Sequence, residues 1–293
     1  MNVIDVHTHG AAGLDTRSSD PYQVLSIADI HGSLGVSAIL PAIYPAAIKV
    51  MRQNMAAVKE AMEIQQKSGS HGGDRHSSRI EGVHLEGPFL NPSRCGALKA
   101  EDFLGPAEYH LQELIEGFED IVRIVTIAPE LEGAERLIRK IADMGIVPSM
   151  GHSEATYNEA ERGFNAGARG ITHIFNAMRS FHHREPGIAG FGLLNPAVYV
   201  EVIADPWHLH QATIDLIFKV KDPAKIIIVS DSVRESKMSD RTKGVTDSGG
   251  TLMGGSLGVT DAVSRLVERG LDRDIAMNCI TVNPARYLAT YLS

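Results

Sequence analysis

The chain has 293 residues, 43% of them hydrophobic and 22% charged, and its formal net charge at pH 7 is −8. This composition is typical of a globular protein with a sizeable core, built as one large α/β domain or two small ones. The acidic balance argues against nucleic-acid or anionic-membrane binding, because phosphate contacts need concentrated Lys and Arg. An anionic substrate would need a local basic pocket.

The chain's two cysteines, Cys95 and Cys279, are too few and too far apart to predict a disulfide framework or a Cys-rich zinc site. The sequence opens directly on an apolar strand pattern, with no charged and then apolar leader. No apolar run approaches the roughly 20 residues of a membrane span. We therefore expect a cytoplasmic protein that is not exported.

Eight apolar, β-branched runs alternate with helical patterns along the chain. Eight such strands predict a parallel (β/α)8 TIM barrel, formed by a single domain over residues 1–293. An open doubly wound sheet is the alternative, but that class usually has a Gly-rich turn after its first strand. The predicted strands are residues 2–9, 35–44, 79–86, 122–128, 145–151, 170–175, 199–205 and 225–231.

Helical spacing follows two of these strands, in segments 154–165 and 260–269, with Ser153 and Thr260 as the expected N-caps. In a barrel, the loops that follow strands build the active face, and the loops that precede them lie at the other end. The Gly/Ser-rich segment 66–76 precedes strand three. Its His71 and His76 are therefore poor ligand candidates.

Three long segments follow strands and are expected on the active face. They are residues 87–105 after strand three, 176–197 after strand six and 232–258 after strand eight. We expect the substrate pocket and any lid within them.

Histidines and an acid cluster at the predicted strand ends. His7 and His9 are two apart on strand one, so both side chains face one side and can share a metal. Glu86, His152 and His173 lie at the ends of strands three, five and six. These imidazole nitrogens and carboxylate oxygens suit one or two divalent cations. Zinc is the expected metal, and iron, manganese or cobalt are the alternatives.

Some metal-dependent barrels bridge two cations with a modified lysine at the end of strand four. No lysine stands there in this chain, so Glu86 is the expected substitute. His84, taken to lie out of phase with Glu86, is assigned a structural role.

Asp231 ends strand eight and is the predicted general acid/base. A divalent cation lowers the pKa of water towards neutrality, and Asp231 would take the proton and return it to the leaving group. A helix cap is the alternative role for Asp231. Asp205, at the end of strand seven, competes for the acid/base role.

Four longer motifs surround these residues, at 83–92, 151–157, 172–178 and 182–187. With them the chain resembles the N-acetylglucosamine-6-phosphate deacetylase family of the amidohydrolase superfamily, from Ile4 nearly to its end. The resemblance implies a metal-dependent deacetylase of an N-acetylated amino sugar phosphate, with N-acetylglucosamine 6-phosphate as the expected substrate.

The resemblance also implies roles for individual residues. It places the principal metal on Glu86, His152 and His173, and makes Asp231 the general acid/base. It implies substrate contacts from Asn176, from the Ala177 backbone, from Arg184 and from His208, and from the loop residues Ala97, Leu252, Met253 and Gly254.

Arg184 suits a phosphate, because a guanidinium fork binds two phosphate oxygens and stays charged. A salt bridge with Glu185 or another acid is the alternative for Arg184. The neighbouring His182 and His183 either add hydrogen bonds or lie exposed.

The chain departs from the family at several points. Leu98 stands where a polar residue, often His, is usual, and Pro206 and Trp207 stiffen the turn after strand seven and add an indole on which sugars can stack. The lid segment 250–256 carries an extra residue. The family's small β-sandwich is expected to be absent.

We expect a symmetric homodimer, because self-association would cover the apolar surface that the sandwich leaves. Family barrels also pair through top-face loops, which places segments 87–105 or 176–197 at the interface. Two other functions stay open: an amidohydrolase for a different N-acyl or cyclic amide, which Leu98 and Trp207 favour, and a catalytically silent sugar-phosphate-binding barrel.

Overall fold

Eight parallel strands, numbered β1 to β8 in chain order, follow one another around the sheet in the computed structural model. The structure describes residues 2–67, 77–238 and 242–291. Each barrel strand lies within one of the eight predicted runs, which confirms the parallel barrel. The strands are β1 (Ile4–Thr8), β2 (Ala38–Ile43), β3 (Val83–Glu86), β4 (Val122–Ile127), β5 (Val147–Met150), β6 (Gly170–Ile171), β7 (Tyr199–Ile203) and β8 (Ile226–Val229).

The barrel closes between its first and last strands, beside the predicted site. The backbone N–H of Asp231 donates to the carbonyl of His7 at 2.9 Å, and that of His9 donates to the carbonyl of Ser232 at 2.7 Å. These two bonds lie just beyond the end of β8. The C-terminal ends of β1 and β8 are therefore joined at the barrel's active face.

Two apolar cores hold the barrel together. The smaller one fills its interior and includes Val6, Leu40, Ile124 and Ile227, with Tyr287 contributed by the last helix. The larger core lies between the outward-facing strand residues and the helices. Strand residues alternate between the two cores, as the period of two in a β-strand requires.

Helices cover the outside of the sheet and connect its strands. A short hairpin pairs Gly10–Ala11 with Leu14–Asp15 after β1, and Arg79–Ile80 adds a short strand beside β2. The helices are α1 (Pro21–Ser33), α2 (Ile48–Lys67), α3 (Glu108–Ile115), α4 (Ala134–Asp143), α5 (Tyr157–Ala166), α6 (Gly187–Leu194), α7 (Gln211–Val220), α8 (Val259–Glu268), α9 (Arg273–Asn278) and α10 (Val282–Leu288).

Both predicted helix caps are wrong. Helix α5 begins after Thr156, which forms a capping box with Glu159, whereas the Ser153 hydroxyl donates to Glu130. Helix α8 begins after Gly258, and the Thr260 hydroxyl donates to the carbonyl of Leu34. In each case a longer-range partner takes the hydroxyl that the local pattern assigned to the cap.

The first two residues of segment 66–76 end helix α2, and residues 68–76 lie outside the described part of the chain. The predictions for His71 and His76 fall there. Among the described residues, no helix combines the length and hydropathy of a membrane span.

The segment after β8 passes directly against the end of that strand. A Cβ at Gly254 would lie 2.2 Å from the carbonyl oxygen of Asp231, and one at Gly255 would lie 1.9 Å from that of Ser230. Only glycine allows this approach. The backbone N–H of Gly255 in turn donates to the Asp231 carbonyl at 2.8 Å.

Candidate metal and substrate site

Glu86 lies at the centre of the predicted ligands. Its Oε1 is 3.1 Å from His152 Nε2 and 3.0 Å from His173 Nε2, while its Oε2 is 3.2 Å from His9 Nε2. Oε1 thus faces the histidines of β5 and β6 and also lies 3.6 Å from His7 Nε2, whereas Oε2 faces His9. Glu86 would therefore be available to cations held on either side of it.

A second group of ligand atoms adjoins the first. His7 Nε2 lies 3.2 Å from His9 Nε2 and 3.5 Å from Asp231 Oδ1, and His9 Nε2 lies 3.6 Å from the same oxygen. Ligand atoms about 2 Å from a tetrahedral cation are about 3.3 Å apart. The spacings around both groups fit that value, so the residues present fit two divalent cations.

Contacts on the far side of two imidazoles fix which nitrogen faces the site. His152 Nδ1 lies 2.8 Å from the carbonyl of Arg94, and His7 Nδ1 lies 3.3 Å from Glu201 Oε2. An Nδ1–H donor leaves the Nε2 lone pair free for a metal. The Nδ1 atoms of His9 and His173 have no partner among the described residues.

The surroundings shift the pKa values of the two central acids in opposite directions. Burial raises the pKa of Glu86, but the facing His9, His152 and His173 lower that pKa well below its usual value. Burial raises the pKa of Asp231, and the negative charge of Glu86 raises it further. Two carboxylates buried around the same histidines repel each other, and a cation between them would relieve this repulsion.

Two of the predicted metal ligands and the predicted acid/base have left-handed backbone conformations. The φ angles are 47° at His152, 32° at His173 and 45° at Asp231. Such angles are costly for residues other than glycine and concentrate at functional sites. Each follows the end of a barrel strand, where the turn aims the side chain into the barrel mouth.

A further buried polar layer lies beneath these ligands. His84 Nδ1 is 3.0 Å from the Val6 carbonyl and its Nε2 is 2.8 Å from Thr126 Oγ1. Both ring nitrogens of His84 thus have protein partners, which is compatible with the expected structural role, but the reason given for that role was wrong. His84 is two residues from Glu86 and faces the same side; it differs only in depth.

Two acids complete this layer. Burial raises the pKa of Asp5 and of Glu201 to about 7. Asp5 accepts backbone N–H bonds from His7 at 3.3 Å and Ser230 at 3.2 Å, so it ties β1 to β8 under the site. An acid inside an apolar strand was the sequence signal that could have pointed to Glu201.

A cavity of about 320 Å³ opens above the ligands. Most of the predicted substrate residues line it, and they come from segments that follow β3, β6, β7 and β8. Leu98, the apolar replacement in the first of these segments, also lines it. The predicted lining residues are Ala97, Asn176, Ala177, His208, Leu252, Met253 and Gly254.

Arg184 is the predicted substrate residue that the structure does not bring to the cavity. Its side chain is exposed, and its Nη1 lies 3.2 Å from His183 Nε2. The alternative salt bridge is not formed with Glu185, whose carboxylate accepts the backbone N–H groups of Tyr157 and Gly187. His182 and His183 are likewise exposed.

The turn after β7 orients His208 rather than presenting an indole. Asp205 Oδ2 lies 3.0 Å from His208 Nδ1 and accepts the backbone N–H of Ser256 at 3.0 Å. Asp205 does not line the cavity, and its oxygens are committed to these donors. Trp207 does not line the cavity either, because it packs beside Gly244. The expectation that its indole would stack on a sugar is therefore wrong.

Several lining residues were not predicted, and three of them carry a hydroxyl or a positive charge. Tyr44 follows β2 and stacks on His9, with ring centroids 3.8 Å apart, and the Arg17 guanidinium lies 4.3 Å from the centre of the Tyr44 ring. Lys99 lines the cavity from the segment after β3. Tyr44 could have been found from its position just after a strand end. It was not singled out because tyrosine is not among the residue types expected to bind the metal.

Relatives found by comparison with known proteins include two deacetylases of amino sugar phosphates. The chain is 32% identical, over 97% of its length, to N-acetylgalactosamine-6-phosphate deacetylase of Escherichia coli O157:H7, of which it covers 76%. It is 33% identical, over 81% of its length, to N-acetylglucosamine-6-phosphate deacetylase of Vibrio furnissii, of which it covers 57%. No family model matches the chain.

Solved structures agree with these relatives. The crystal structure of N-acetyl-D-glucosamine-6-phosphate deacetylase from Mycobacterium smegmatis matches with a TM-score of 0.86 and 28% identity, over 98% of this chain and 78% of that one. A variant of that enzyme in complex with N-acetyl-D-glucosamine-6-phosphate matches with a TM-score of 0.85.

Proposed function

The chain belongs to the amidohydrolase family of amino sugar phosphate deacetylases, and on this basis we propose that it hydrolyses N-acetylglucosamine 6-phosphate to glucosamine 6-phosphate and acetate. The observation that carries the proposal is Glu86, whose two oxygens face the two groups of metal ligands at the floor of the cavity. Family membership supplies the substrate class, and this geometry supplies the means of hydrolysis.

We propose that Glu86, His152 and His173 hold one divalent cation and that His7 and His9 hold a second, with Glu86 between them. Zinc suits these nitrogen and oxygen ligands, and iron, manganese or cobalt would serve by availability. A bound cation supplies Lewis-acid polarisation of the amide and lowers the pKa of water.

The protein's own contribution to proton transfer is Asp231. Its carboxylate lies at the cavity floor beside His7 and His9, where it can accept a proton from the attacking water. The same oxygen returns the proton to the nitrogen as the bond between carbon and nitrogen breaks. Asp205, which is bonded to His208 and Ser256, is better suited to orienting His208 towards the sugar.

The cavity wall supports an anionic sugar as substrate. Lys99 and Arg17 place positive groups along it, although Arg17 is paired with Asp15 and the acid Asp102 also lines the cavity. Asn176, the Ala177 backbone and His208 offer hydrogen-bonding groups for sugar oxygens. The lid residues 252–254 also line the cavity.

The 4-epimeric substrate, N-acetylgalactosamine 6-phosphate, is the second candidate. The Escherichia coli O157:H7 relative, of which this chain covers 76%, is named for that sugar. Leu98 offers no hydrogen bond to the substrate, which favours a changed preference among acylated sugars.

We also propose that the chain forms a homodimer through segment 176–197 and acts in the cytoplasm. Phe181 is 54% exposed in this segment, and the exposed Arg184 lies three residues further along. A two-fold contact on this loop would bury Phe181 and carry Arg184 towards the neighbouring cavity, where it would meet a phosphate. Cys95 and Cys279 are free thiols, which suits a reducing compartment.

The test is an acetate-release assay on the purified, metal-analysed protein. The panel contains both 6-phosphorylated epimers and unphosphorylated N-acetylglucosamine, and light scattering reports the oligomer. Release from a phosphorylated epimer at least about 100-fold faster than from the unphosphorylated sugar supports the proposal. Full metal loading without acetate release from any of them would contradict it and favour a silent binding barrel.

A further inference from the structure

The hydroxyl of Tyr44 is a buried polar group that lacks a partner. Tyr44 follows β2, its relative exposure is 8%, and its Oη makes no hydrogen bond within the described part of the chain. Leaving a buried hydroxyl unpaired is costly, so such groups in native proteins usually have a ligand or a water as partner. Tyr44 lines the cavity, and a partner is therefore to be sought there.

The Tyr44 ring is held on both faces. His9 stacks on one side at 3.8 Å and 21°, and the Arg17 guanidinium covers the ring at 4.3 Å from its centre. Arg17 is itself fixed by Asp15, to which its Nη2 donates at 2.7 Å. A ring fixed in this way presents its hydroxyl in one direction, at little further entropic cost on binding a ligand.

Tyr44 stands next to the groups that would act on the amide. The His9 ring on which it stacks lies 3.2 Å from Glu86 and 3.6 Å from Asp231. Among the described lining residues, Tyr44 carries the hydroxyl group, and Leu98 contributes only apolar surface to the same cavity. Tyr44 is thus the lining residue with a neutral O–H donor, and this hydroxyl is buried in the cavity wall beside His9.

We propose that Tyr44 is a substrate-contacting residue whose hydroxyl donates a hydrogen bond to the oxygen of the substrate's N-acyl group. The inference rests on the proposed deacetylase function. As the water oxygen bonds to the acyl carbon, the amide oxygen gains negative charge, and the bond to nitrogen then breaks with proton return from Asp231. Tyr44 keeps its proton throughout and stabilises the charge on that oxygen.

The test is the variant Tyr44→Phe, which keeps the stacking ring and removes only the hydroxyl. We expect kcat/KM for the acylated sugar phosphate to fall about 10- to 100-fold, mostly through kcat. Binding of the product, glucosamine 6-phosphate, followed by calorimetry, should change less than about twofold, since the product lacks the acyl oxygen. Metal content should match that of the native protein.

Tyr287→Phe is the matched control, because Tyr287 is also a fully buried tyrosine but does not line the cavity. It should retain native kcat/KM. Native activity in Tyr44→Phe, loss of its metal, or product binding weakened as much as kcat/KM would each overturn the assignment while leaving the deacetylase function intact. Native protein that holds metal but releases no acetate would instead contradict the proposed function, and this inference with it.

Discussion

The Nε2 atoms of His7 and His9 lie 3.2 Å apart, although both nitrogens also face carboxylate oxygens. Two imidazoles can share one proton in such a contact, but they cannot both donate to the acids around them. A divalent cation between them satisfies both lone pairs at once. This contact supports the proposal that the pair would hold a metal.

This relationship predicts two cations per chain at saturation. In His9→Asn we expect the content to fall from about two to about one, because Glu86, His152 and His173 still bind the other. Elemental analysis after dialysis measures it, with the exposed His182→Asn as the control. One cation in the fully loaded native protein would show that the histidine pair binds none.

The acid/base role of Asp231 predicts a selective loss of turnover. Asp231→Asn is nearly isosteric and keeps an oxygen that can still face a cation beside His7 and His9, so fold and metal content should persist while kcat falls by at least about 100-fold. Steady-state kinetics combined with metal analysis separates these effects. Near-native kcat would remove Asp231 from proton transfer and turn attention to Asp205.

The position of Arg184 outside the cavity of its own chain predicts complementation between two copies. Arg184→Ala and Asp231→Asn should each be weakly active alone on the 6-phosphorylated substrate. When the two variants are mixed and allowed to exchange subunits, half the dimers are mixed and each of these has one intact site, so roughly a quarter of native activity should return. No recovery after verified exchange would place Arg184 outside the phosphate site.

Asp205 predicts a pH-dependent contribution to stability. Burial raises its pKa, but bonds from His208 and the Ser256 backbone outweigh this and lower it from 3.8 to about 2. The stabilisation is therefore complete above the unfolded pKa and is lost as pH falls from about 4 to about 2. Its size is about 2 kcal/mol.

We therefore expect Asp205→Asn to lower the free energy of unfolding by about 2 kcal/mol at pH 7, with a smaller difference at pH 3. Urea unfolding of the metal-free protein at both pH values measures this, and the exposed Asp215→Asn serves as control. A difference that is equal at both pH values would mean that the lost contact is steric rather than electrostatic.

The parts of the site that follow from parallel-strand geometry could be predicted from the sequence. Glu86, His152, His173 and Asp231 each follow or end an apolar run, and the C-terminal ends of parallel strands meet at one face. That these side chains lie close together can therefore be predicted without knowing the conformations of the loops. The same rule applied to Tyr44 would have placed it at the cavity, but nothing local marks it as a partner of His9.

Other features depend on distant parts of the chain and could not be predicted. The register of β1 against β2 shifts between Asp5 and Thr8, so Val6 enters the interior core while His7 still reaches Glu86. A period of two carries no sign of such an irregularity. The Ser153 hydroxyl bonds Glu130, more than twenty residues away, because tertiary contacts outcompeted the local cap.

The backbone bond between Asp231 and His7 joins the last strand to the first at the metal ligands. A cation held by His7, His9 and Asp231 would act as a crosslink that closes a loop over about three quarters of the chain, the kind that most restricts an unfolded polypeptide. Of these three ligands, the two histidines are synthesised first and Asp231 is synthesised last. That ligand set can be completed only when the final strand has docked, so capture of metal there would mark a finished barrel.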